Sequence, residues 1–111
     1  VNQIQQQVAV TKIAAEDAII DAINAIKLAA ANPAADQDLL DQARKLHREA
    51  HFMWDYVSAE NSTGFHNPEY ALEILAKAID TARRAQMLAA QAVDDPSLLA
   101  TGTYYAEQPA P

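Results

Sequence analysis

Apolar residues recur along this chain at spacings of three and four, the period of an amphipathic helix, and nowhere alternate as in a strand. In the first segment Ile4, Val8, Thr11, Ala15, Ile19, Ala22, Ile26 and Ala29 form a heptad-like stripe, with Gln, Lys, Glu and Asp outside it. The spacing predicts a helix over 2–31. It ends at Asn32-Pro33, because the residue before a proline is pushed out of the α region. Thirty helical residues would reach roughly 45 Å, too long a stripe for one helix to bury alone.

A second helix is predicted over 36–61, with Asp36 as its N-cap. Leu39, Ala43, Leu46, Ala50, Met53 and Val57 form its stripe. Beside it runs a more polar row, Leu40, Arg44, His47, His51, Trp54 and Ser58, expected to face something other than the alanine-rich seam. The helix fades in Asn61-Ser62-Thr63-Gly64, where Gly64 can supply a left-handed turn. A third helix is predicted over 68–93. Asn67 is placed to cap it and Pro68 occupies the first helical position, where a missing amide costs nothing. Leu72, Leu75, Ile79, Ala82, Ala89 and Val93 mark its buried face, and Asp94-Asp95-Pro96 ends it. Residues 1–96 thus read as one helical domain, and 97–111, with Leu98, Leu99 and two tyrosines, as a tail lying across a neighbour. The expected fold is all-α: a three-helix bundle or extended hairpins of long antiparallel helices, packed against a partner.

Composition sharpens this picture. The 111 residues suit a single domain. Half of them are apolar, but much of that share is alanine, so the core is thin and gains from packing on something larger. A net charge of −7 argues against a nucleic-acid partner, which needs a basic patch. No run of about 18 apolar residues exists to span a membrane. Without cysteine, disulfides, cysteine–zinc sites and haem attachment within the chain are excluded. The start at Val1, with no secretory apolar stretch, reads as a processed or excised chain.

Candidate chemistry centres on histidines. His47 and His51 lie at i and i+4, a spacing that can bind zinc or a similar metal; a third ligand is required and no H-E-x-x-H accompanies them. The same pair also reads as two partly exposed histidines on a polar stripe near Trp54. His66 sits between a glycine turn and a proline-launched helix, so its side chain has a fixed origin and projects away from the bundle. That suits a ligand reaching toward a metal held elsewhere, and equally an ordinary turn residue. No carboxylate pair, Ser-His-Asp set or phosphate loop can be assembled, so the chain holds no active site by itself.

The stretch WDYVSAENSTGFHNPEYALEILAKAIDTARRAQ, beginning at Trp54, resembles the C-terminal helical part of multihaem c-type cytochromes. That family includes ammonia-forming cytochrome c nitrite reductases, octahaem nitrite reductases and hydroxylamine-oxidoreductase-like enzymes. Phe52, Trp54, Asp55, Gly64, His66, Asn67, Pro68, Leu72, Leu75 and Asp80 carry the resemblance, over about a third of the chain. The resemblance implies that His66 is a distal axial ligand to the iron of a bis-His haem c, and that the long helices form homo-oligomer contacts. Trp54 and Phe65 would line the apolar wall beside that haem, or serve as ordinary core packing. Asp55 and Asn61 would hold the turn. It further implies a haem-bearing cytochrome polypeptide as partner, a parent oxidoreductase of the nitrite reductase kind, and a periplasmic or extracellular home. The departure is the absence of any C-x-x-C-H motif, so the haem would be attached to another chain or segment. The alternative reading is a cofactor-free helical dimerisation module.

Overall fold

A computed structural model describes residues 3–62 and 67–102. Three long helices make the fold: α1 (Gln3–Ala30), α2 (Gln37–Ser62) and α3 (Pro68–Val93), followed by a 3₁₀ turn, Pro96–Leu99. Among the described residues there is no strand, and no helix is long and apolar enough to cross a membrane.

The helix ends follow local chemistry. After α1, the side-chain oxygen of Asn32 accepts the Ala34 amide at 2.9 Å, closing the turn ahead of α2. Asp36 caps α2, its carboxylate accepting from the Leu39 amide at 3.1 Å. The Asp36 amide in turn donates to the Ala92 carbonyl at 2.9 Å, tying the α1–α2 turn to the end of α3. Asn67 caps α3 through the Tyr70 amide at 3.1 Å, with Pro68 behind it. At the far end Asp94 takes a left-handed conformation, φ 50° and ψ 48°, one that aspartate tolerates better than most residues.

The central element is α3, which packs along both α1 and α2, while those two share a smaller seam. Its position explains a buried arc that is wider than the predicted stripe and offset from it: Leu72, Ile79 and Val93 are only half-buried. Ala71, Leu75, Ala78, Ala82, Ala85, Ala89 and Ala92 follow one another at spacings of three and four, and Thr81, Gln86 and Ala90 are buried on the flank. Alanine makes up most of the buried set; Leu40, Leu75, Val57 and Asp21 are the largest fully buried side chains. Short side chains allow helix axes to approach toward the close end of the usual 8–10 Å.

In α1 the predicted stripe is buried from Ala15 to Ala29, together with the flanking Ala18, Asp21 and Ala25. One placement in α2 is corrected. Leu40 does not share the outlook of its polar row: it is fully buried with Ile26, Ala29 and Ala43. The rest of that row is half-buried or exposed. Trp54 turns toward α1, where its indole N–H donates to the Lys12 carbonyl at 3.1 Å.

Candidate functional site

The corner between α2 and α3 frames the expected site. Residues 63–66 lie outside the described residues, and with them His66 and Phe65. Their flanks are described. Below the corner a cavity of about 420 Å³ opens between the N-terminal half of α1 and the adjoining ends of α2 and α3. Val8, Val57, Pro68 and Ala71 give it an apolar lining. Lys12 and Glu60 add opposite charges, and Asn61 and Asn67 stand where the two helices end.

Trp54, the third expected residue, is half-buried and packs against two of the core clusters. The Lys12 ammonium lies 4.9 Å from the centre of its ring, within cation–π range, and the Lys12 carbonyl takes its N–H. The two residues therefore clasp α1 to α2, and the cation that lines the cavity is set by the tryptophan. On the outer side, Tyr56 and Tyr70 meet edge to face at 6.5 Å between ring centres, bracing α2 against α3 beside the corner. A hydrogen bond to the Glu60 carboxylate raises the Tyr56 pKa above its ordinary value, because it favours the neutral phenol.

His47 and His51 do share a face. Their rings stack at 6.4 Å, 18° apart, and His51 Nε2 lies 3.7 Å from the Asp55 carboxylate. Burial lowers the His47 pKa; the nearby His51 and Arg48 lower it further, against a hydrogen bond to the Ile19 backbone that raises it. Its Nε2 is buried without a partner. Among the described residues, no group of three or more His, Cys, Asp or Glu is placed to hold a metal ion, so the pair lacks the third ligand its spacing requires.

One polar cluster escapes the sequence patterns. Asp21, 2 % exposed, receives the Arg83 guanidinium at 2.7 Å and the Gly102 amide at 3.2 Å. Arg83 also donates to the Gln86 side-chain oxygen at 3.0 Å. The Gln86 amide nitrogen then donates to the Leu98 and Ala100 carbonyls at 2.9 and 2.7 Å. The cluster straps residues 98–102 onto α3 and α1.

Residues 1–108 match the cytochrome c552 family. The chain belongs to that family. It is also 43% identical, over 86 residues, to the cytochrome c nitrite reductase subunit NrfA of Nitratidesulfovibrio vulgaris (strain Hildenborough). That alignment covers 74% of this chain and 15% of the relative, so the chain spans a small part of that protein's length. No solved structure matches. Membership of the cytochrome c552 family accords with the resemblance carried by Trp54-Asp55 and by Gly64, His66, Asn67 and Pro68. It brings haem c into consideration, and the donor set limits how this segment can meet it. With no cysteine, the chain cannot form the thioether links. The apolar cavity wall, with Lys12 beside it, fits contact with a porphyrin carried by another segment.

Proposed function

We propose that this cytochrome c552-family chain is the helical part of a multihaem nitrite reductase-like oxidoreductase, in which His66 supplies the distal axial ligand to a haem attached elsewhere. The observation that carries the reading is the root of α3. Asn67 caps the helix through Tyr70, and Pro68 follows it at the first helical position, so position 67 is fixed to the start of the helix. An imidazole launched from such an anchor needs little ordering to reach a metal, unlike one on a free loop. When bound, the haem supplies one-electron chemistry, its potential set by axial ligation and by the polarity around it. This chain's part is to present the imidazole, to offer Trp54 and Phe65 as an apolar wall, and to keep water from that side.

The long helices would then serve the assembled enzyme as contact surfaces. Val10 and Ile13, 68% and 57% exposed on α1, support that reading, since large apolar side chains left in water favour association. The same observation favours the second reading, a helical association module without cofactor. A periplasmic or extracellular location goes with the first, through its haem-bearing partner.

The test uses the chain assembled with its haem-bearing polypeptide. Replacing His66 with alanine is expected to convert one low-spin bis-His haem to a high-spin signal in visible and electron paramagnetic resonance spectra. If every haem stays low-spin, the ligand assignment is wrong. If the native assembly sediments as an oligomer without Soret absorption, the cofactor-free module is the function.

A further inference from the structure

Away from the α2–α3 corner, the middle of the bundle carries a second concave feature. A groove of about 330 Å³ runs between the C-terminal part of α1 and the N-terminal half of α2. Its floor is apolar: Ile23, Ile26 and Ala30. Its rim is cationic, with Lys27 from α1, Arg44 and Arg48 from α2, and the His47 imidazole between the arginines. The chain carries a net charge of −7, yet no carboxylate lines this groove.

Three features set the rim apart from an ordinary solvated face. Arg44 and Arg48 stand at i and i+4, where like charges repel across one helical turn. Only Arg44 has a carboxylate near it, the exposed Asp41 at 3.2 Å; among the described residues none lies within 4 Å of Lys27 or Arg48. The floor offers no competing polar group, with Ile26 buried and Ile23 half-buried beneath the rim. Lys27 complements the negative end of α1 as a lysine in a last helical turn commonly does, but that role does not explain why two arginines from α2 line the same groove.

We propose that this groove binds a small oxyanion of the phosphate or carboxylate class, held between Lys27 on one helix and Arg44 and Arg48 on the other. The anion relieves the Arg44–Arg48 repulsion and clamps α1 to α2 across their smaller seam. Guanidinium groups suit the role: each has five donors in a planar fork, and the bond to Asp41 uses only part of the Arg44 set. The site does not depend on His66 or on haem.

The experiment titrates the 111-residue chain with inorganic phosphate at constant ionic strength, following the His47 ring and arginine side-chain signals by nuclear magnetic resonance. Sodium chloride provides the matched control. The expected result is a saturable shift confined to His47, Arg44 and Arg48, absent with chloride. Lys27→Gln and Arg48→Gln should each weaken the apparent affinity roughly tenfold, the worth of one charge-assisted contact. Lys77→Gln, a surface lysine on α3 outside the groove, should leave it unchanged. Circular dichroism verifies that each variant keeps its helices. A linear shift that chloride reproduces, or equal affinity in the Lys27 and Arg48 variants, overturns the proposal.

Discussion

Replacing Asp21 with alanine removes the centre of the polar cluster that holds residues 98–102 on the bundle. In the intact protein the Asp21 carboxylate is 1% exposed and accepts from both Arg83 and the Gly102 amide. Deleting one partner of a fully buried ion pair costs roughly 3–5 kcal/mol, chiefly because the other charge is stranded. Arg83 is not fully stranded here. Its side chain is 34% exposed and retains the bond to Gln86, so it regains part of its hydration. Discounting for that recovery, and for a Gly102 amide that water can reach, leaves about 2–3 kcal/mol. For a domain of this size that lowers the melting temperature by roughly 10–20 °C. Urea unfolding followed by circular dichroism measures the loss. Hydrogen exchange at Ala100 and Gly102 measures whether the strap is released ahead of the bundle. A double-mutant cycle with Arg83→Met should return coupling of about 1–3 kcal/mol. A destabilisation below about 0.5 kcal/mol, typical of an exposed pair, would refute the reasoning.

Two further outcomes are expected. Asn67→Ala should cost about 1 kcal/mol in urea unfolding, as an N-cap does, whereas Asn67→Asp should stay within a few tenths; equal losses would mean that the Tyr70 bond is not what starts α3. The depressed pKa of His47 makes its contribution to stability pH-dependent in a defined direction. The unfolded chain takes up the proton first, so the contribution is complete above pH 6.5 and is lost as pH falls through the lower folded value. His47→Gln should flatten the stability profile on the acid side of 6.5, and parallel profiles for the two proteins would count against a desolvated imidazole.

The sequence was most legible where the physics is local. Asp36, Asn67 and Pro68 announced the two helix starts because capping involves residues only three apart, and Asn32-Pro33 announced the end of α1 for the same reason. Periodicity locates all three helices, but in α3 Leu72, Ile79 and Val93 of the expected buried face are only half-buried. A helix packed on two neighbours buries an arc rather than a stripe, and alanines such as Ala78, Ala85 and Ala92 are equally at home in water, so their pattern alone does not reveal which are inside. Leu40 shares its row with polar neighbours, and the average character of that row hides its full burial. The Asp21, Arg83 and Gln86 cluster left no signal. Asp21 and Arg83 are 62 residues apart, and each member looks like an ordinary surface residue on its own helix. The corner itself was legible as a motif, in Gly64, His66, Asn67 and Pro68, and family membership agrees with it.

The alanine lining of α3 bears on where redox chemistry can take place. Among the described residues the seams along α3 are packed with alanine methyl groups together with Leu40, Leu75 and Val57. On the proposed function, a haem would therefore meet this segment at its outer skin or its ends, and the bundle would stand as a buttress beside the iron.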